Sequence, residues 1–168
     1  PMQPQDPKSN LFLHGFDEDT IDAHYSAELT NNTSLIGETG TFIEHTDNLK
    51  VITDKIKKTI VVHRITENQD TAQIRISGGY LDGWDIKVNE DTSLGFVNLK
   101  GSRASEFGLT GCVTFNDIKL SAVSVSVSNT NCEDSIHFVR ATGDLLGIKI
   151  TDAENDAIDA DFSDLTFN

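Results

Sequence analysis

Six carboxylates, Asp152, Glu154, Asp156, Asp159, Asp161 and Asp164, fall within thirteen consecutive residues. Calcium accepts about six to eight oxygen ligands in flexible geometry, so the stretch is a candidate calcium site with Asp152, Glu154, Asp156, Asp159 and Asp161 as ligands. It is not an EF-hand: counting from Asp152, Ala157 stands where the loop needs Gly and Ser163 where it needs Glu. The competing expectation is an outward, solvated strand face, because Ile158, Ala160 and Phe162 alternate with Asp159 and Asp161.

A second group could do acid–base work. Coils that repeat about every 22 residues put His137 beside Asp159, with Asp134, Asp156 and Arg140 close by. A glycoside hydrolase needs two carboxylates at a set separation, and a uronic-acid lyase needs a base and a cation for the sugar carboxylate. Spacing does not separate these from an ordinary acidic rung, so no residue is given a catalytic role and a non-enzymatic protein is the leading expectation. Tyr80 and Trp84, in Gly79-Tyr80-Leu81-Asp82-Gly83-Trp84, are candidate sugar-stacking aromatics. A lone Trp in a small β domain is nonetheless more often core.

The balance of 27 acidic to 13 basic residues, net −14, repels nucleic-acid phosphates and anionic lipid, so neither is an expected partner. An anionic polysaccharide would need a bridging divalent cation. No apolar run approaches the length of a membrane span. Cys112 and Cys132 lie 20 residues apart, just under one coil. A disulfide between neighbouring rungs is one outcome, and two buried thiols acting as small core residues is the commoner one.

These residues need elements to hold them. Val125 and Val127 recur 23 residues on as Ile148 and Ile150, and Asp134 and Ile136 recur 22 on as Asp156 and Ile158. Val113 and Phe115 stand 23 residues before Ile136 and Phe138. Short alternating apolar segments at a near-constant period, with Asn, Asp and Gly between them, predict coils of a solenoid. Val125, Val127, Ile136, Ile148, Ile150 and Ile158 are then expected in one stacked core. The 23-residue step can also be traced backward through Leu120, Val97, Ile74 and Val51, and from Leu99 to Ile76.

Upstream, Thr59–His63, Ala72–Ile76 and Trp84–Val88 read as strands, with turns at Ser77-Gly78-Gly79 and Asp82-Gly83. Lys55, Lys57 and Lys58 read as a solvated edge. Ile21, His24, Tyr25 and Leu29 predict a short helix ended by Asn31, and Asn31 and Asn32 match the pattern of glycosylation acceptors. Residues 1–10, which hold all three prolines, read as an extended leader without a visible secretion signal.

Residues 109–168 resemble a right-handed parallel β-helix of the pectate-lyase-like superfamily, of the bacterial surface and polysaccharide-associated type. Asn131-Cys132-Glu133-Asp134-Ser135-Ile136, Val139-Arg140-Ala141-Thr142-Gly143 and Asn155-Asp156-Ala157-Ile158-Asp159-Ala160-Asp161-Phe162-Ser163 carry the likeness. Polygalacturonase-type enzymes share that fold, but their His-Gly and Arg-Ile-Lys segments are absent here. Such helices run through more coils, so the strand at Leu165 and Phe167 is expected to present an open edge for assembly.

The expected protein is all-β: an extended leader (1–10), an irregular N-terminal β region (11–108) and a short right-handed parallel β-helix (109–168), with a β-sandwich or jelly roll as the alternative. The expected role is an extracellular or cell-surface structural or binding module. It would self-assemble as a homo-oligomer or filament, or dock on a larger partner, in association with carbohydrate. A polysaccharide lyase or hydrolase fragment of the phage tailspike type is the alternative.

Overall fold

A computed structural model describes residues 34–36, 39–65, 72–89, 99–100 and 110–168. The expected helix at Ile21–Leu29, the leader and the Asn31 and Asn32 acceptors lie outside the described residues. What is described is nearly all strand, without helix, and forms a β-solenoid of about 4 turns.

The strands are β1 (Ser34–Ile36), β2 (Thr41–His45), β3 (Leu49–Asp54), β4 (Thr59–Arg64), β5 (Ile74–Ser77), β6 (Tyr80–Asp82) and β7 (Asp85–Val88). They continue as β8 (Leu99–Lys100), β9 (Gly111–Asn116), β10 (Lys119–Asn131), β11 (Asp134–Val139), β12 (Thr142–Ala153), β13 (Asp156–Asp161) and β14 (Asp164–Phe167). Each coil gives one strand row to a six-stranded sheet ordered β1-β2-β5-β9-β11-β13 and another to an eight-stranded sheet ordered β14-β12-β10-β7-β4-β3. Strands β6 and β8 also pair with β10. Pairing is parallel from β4 and β5 onward, whereas β1–β2, β2–β5 and β3–β4 are antiparallel. Antiparallel strands thus close the N-terminal end, and parallel coils run to the other end.

The repeat legible in the sequence is the strand register. Val125 and Val127 lie beside Ile148 and Ile150, Asp134 and Ile136 beside Asp156 and Ile158, and Val113 and Phe115 beside Ile136 and Phe138. The Phe115 and Phe138 rings stack with centroids 5.1 Å apart. That arrangement excludes the sandwich and jelly-roll alternatives, in which these strands would be antiparallel.

The backward extension of the repeat is corrected. Val51 pairs antiparallel with Val62, Ile74 and Ile76 stack on Val113 and Phe115, Leu81 lies beside Leu120, and Leu99 beside Thr130. The step from Ile74 to Val113 is 39 residues, because the chain between β7 and β9 lengthens that coil. A fixed period therefore fails where one corner carries an insertion. The parallel stack also begins before residue 109, since β4 and β7 already lie in register beneath β10.

The expected core is corrected at its last rung. Val125, Val127 and Ile136 are fully buried, Ile148 and Ile150 are half-buried against them, and Ile158 is 40 % exposed. Among the described residues nothing stacks on the far side of β13, so there the apolar column is covered on one side only. The cysteines are also corrected: Cys112 and Cys132 are disulfide-bonded, with their Cα atoms 5.5 Å apart, within the usual bridging range. The bond links β9 to the turn that enters β11.

Corners between strands use left-handed backbone in register. Gly78, Asp117, Arg140 and Phe162 have positive φ where β5, β9, β11 and β13 end, and Asn89, Asn129 and Asp152 repeat this at or near the ends of β7, β10 and β12. Gly, Asn and Asp tolerate this conformation, so those corner positions punctuate the sequence.

Candidate functional site

His137 occupies the middle of β11, whose six residues are all buried. Its side chain is only 2 % exposed, and Nε2 points to the carboxylates of the next coil, 3.3 Å from Asp161 Oδ2 and 3.6 Å from Asp159 Oδ2. The sheet register is responsible: His137 pairs with Asp159 and Val139 with Asp161, and alternation sends both aspartates to the same face. Their side chains are about half exposed. The His137–Asp159 neighbourhood expected from the 22-residue step is thus present.

The other ring nitrogen is also held. His137 Nδ1 lies 3.1 Å from Thr110 Oγ1 and accepts a hydrogen bond from the Thr110 backbone N–H at 3.4 Å. The Thr110 hydroxyl donates a short hydrogen bond to Asp134 Oδ2. Burial pushes the Asp134 carboxyl above its ordinary value, with the Thr110 hydrogen bond acting in the opposite direction. Gly111 permits this approach, because a Cβ there would stand 2.7 Å from the His137 Cβ. Thr110 carried no sequence signal, since a single Thr between a Leu and a Gly matches no motif.

Asp159 Oδ1 accepts a hydrogen bond from the Ala160 N–H at 2.8 Å, which turns Oδ2 toward the imidazole. Among the described residues, His137, Asp159 and Asp161 are the group of three that could hold a metal ion, their donor atoms lying within 4.8 Å of one another. Asp152, Glu154 and Asp156, the other three expected calcium ligands, are not in it. They sit at the corner between β12 and β13, and Asp156 stacks on Asp134. Of the five carboxylates read from the sequence, Asp159 and Asp161 belong to this group.

Arg140 is engaged elsewhere. Its Nε donates to Asp117 Oδ1 at 2.5 Å and Nη2 donates to Asp117 Oδ2 at 2.7 Å and to Asn116 Oδ1 at 3.0 Å. This fork spans two coils at the outer corner. The pairing draws Arg140 away from the expected His137–Asp134–Asp156 grouping.

The aromatic pair is corrected. Trp84 is 5 % exposed and belongs to the core, which leaves it no free ring face for a sugar. Tyr80 is half exposed, and the Lys119 ammonium stands 5.9 Å from its ring centroid, within cation–π range.

The second feature is the open end. All six residues of β13 are exposed, and β14 pairs only with Thr142–Leu145 of β12, so among the described residues the row from Leu146 to Ala153 is uncovered on that side. Leu165 packs on the core, whereas Phe167 and Leu146 are more than half exposed and Phe162 is 89 % exposed. Lys55, Lys57 and Lys58 lie at the opposite end, between β3 and β4, where Lys57 pairs with Asp54 and Lys58 with Asp82. Comparison with known proteins assigns no family: no family model, no curated protein and no solved structure matches the chain.

Proposed function

We propose that the chain is a structural module that assembles head to tail with further copies of itself. The observation that carries this reading is the open coil end formed by β13, β14 and the second half of β12. Among the described residues it combines unpaired parallel strand edges with half-exposed members of the core columns, Ile148, Ile150 and Ile158. Such an edge takes up another strand by backbone hydrogen bonding.

Charge selects the occupant. From Asp152 to Asn168 the terminal coil has six carboxylates and no Lys or Arg. Two such ends face to face would repel, which disfavours a closed dimer of like ends. Among its described residues the N-terminal coil exposes Lys50, Lys55, Lys57 and Lys58 against Glu44, Asp47 and Asp54, with Arg64 buried, so it is the more basic of the two ends. Its edge strand β3 carries Ile52, which is 45 % exposed. Joining β3 of one copy to the β12–β14 edge of the next would continue the eight-stranded sheet, and β1 against β13 would continue the other. That contact is heterologous and repeats without closing, which gives a filament. The Cys112–Cys132 bond supports an extracellular or cell-surface setting, because disulfides persist in oxidising compartments. With Trp84 buried, the association with carbohydrate loses its main support.

Sedimentation across micromolar concentrations tests the proposal. Mass is expected to rise without a fixed limit and to fall with added salt, which screens the facing charges. Ile52→Asp should block one end by facing a carboxylate to the acidic coil, and Phe167→Lys the other by facing a cation to the basic one, so neither variant alone would grow, while an equimolar mixture would stop at a dimer. A concentration-independent monomer would overturn the assembly. Growth of Ile52→Asp alone, with a dimer as its limit, would overturn the head-to-tail contact in favour of like ends.

A further inference from the structure

We propose that His137, Asp159 and Asp161 form a binding site for one divalent transition metal of the zinc type, which clasps the terminal coil to the one beneath it. One imidazole nitrogen and two carboxylate oxygens converge from adjacent coils, with donor separations of 3.3 Å and 3.6 Å from Nε2. Zinc binds His nitrogen and carboxylate oxygen at roughly 2.0–2.2 Å, and tetrahedral geometry then sets neighbouring ligands about 3.3–3.6 Å apart. The two separations from Nε2 are already of that size, and all three donor atoms lie within 4.8 Å of one another.

The donor set argues against calcium. Calcium selects oxygen and needs about six to eight ligands, whereas imidazole suits zinc, cobalt and nickel. Among the described residues the rest of the acidic stretch does not join this group, which leaves two carboxylates and an imidazole where calcium would take an all-oxygen shell. A metal-bound imidazole has a single proton to place, and the Thr110 hydroxyl beside Nδ1 can accept it. With the metal on Nε2, Nδ1 would carry the proton and donate it to Thr110 Oγ1 at 3.1 Å, exchanging the Thr110 N–H bond that it accepts in the metal-free chain, while that hydroxyl donates to Asp134. A metal-bound imidazole is commonly oriented in this way through its other nitrogen. Water reaches the site from the side of the half-exposed aspartates and can fill the fourth position.

Cobalt(II) added to the full chelator-treated chain is the probe. The expected result is one cobalt per chain with the intense visible bands of four-coordinate geometry, displaced by one equivalent of zinc and not by a large excess of calcium. Asp159→Asn and Asp161→Asn should each weaken binding at least ~10-fold, and the double substitution should abolish it. Thr110→Val keeps all three ligands and should weaken binding by about 10–100-fold through lost orientation of the ring. Asp152→Asn with Glu154→Gln in the same acidic stretch should leave binding unchanged. Zinc should also raise the melting temperature of the unmodified chain but not of the double variant, which, with both substitutions at half-exposed positions, is expected to fold. Absence of the cobalt bands, bands that survive the double substitution, or equal displacement by calcium would each overturn the site.

Discussion

Single residues carry the solenoid around its corners, often against local preference. Ala122 holds φ 50 beside a register shift between β10 and β12, and its N–H donates to Asp144 Oδ2 at 2.8 Å. An L-residue in this region costs roughly 1–2 kcal/mol, part of which glycine gives back through the unfolded chain. Ala122→Gly should therefore stabilise by about 0.5–1 kcal/mol, read as a higher urea midpoint. Asp117, at φ 49, is joined to Arg140, whose hydrogen bonds hold its carboxyl below the ordinary value. A carboxylate depressed in the folded state contributes stability that is complete above its unfolded pKa of about 4 and lost as pH falls through the folded value. Asn keeps the left-handed corner but not the charge. Asp117→Asn should thus lower the urea midpoint slightly at pH near ~7 and not at all in acid below both pKa values, and the effect stays small because both partners are half exposed. His137 shows the limit of reading such residues from sequence. Its neighbour Asp159 followed from the coil step, but the Thr110 and Asp134 support required the actual fold, because the chain into β9 carries no repeat mark.

At the scale of the strand, position in the stack decides what an apolar side chain contributes. Ile136 and Ile158 are the same residue type in the same column, one fully buried between rungs and the other 40 % exposed. Ile136→Ala should cost about 2–5 kcal/mol through lost transfer energy and a cavity. Ile158→Ala loses less burial and leaves an open notch, so it should cost less than about 2 kcal/mol, and parallel urea titrations of the two variants make the comparison. Head-to-tail association should narrow the gap, since a copy seated on β13 completes the column. The alternation that marks an inward strand was legible for β10 to β13. What it does not encode is whether another rung follows, so Ile158 read as core. The N-terminal strands misled for a different reason: β2, β3 and β4 pair antiparallel, and apolar residues 23 apart in that region belong to different sheets.

For the molecule as a whole, stability propagates along one axis, because each coil contacts only its neighbours. The Cys112–Cys132 bond acts on that axis by tying β9 to the entrance of β11, so two central coils are crosslinked and the terminal one is not. Closing a loop with a sequence separation of 20 should contribute about 2–4 kcal/mol, largely by restricting the unfolded chain. Reduction, or replacement of both cysteines by Ala, is expected to remove that amount without changing the strand order. Both sulfurs are buried, so reduction should need prior opening of the coils and proceed slowly under native conditions. Hydrogen exchange would then locate the effect. In the oxidised monomer, amides of β9 to β11 should be the slowest and those of β13 and β14 the fastest among the parallel coils, because the terminal coil is paired on one side only. After reduction the central amides should speed up toward the terminal ones, while β13 changes little. Equal acceleration at β13 would mean that the stack unfolds as one cooperative unit and not coil by coil.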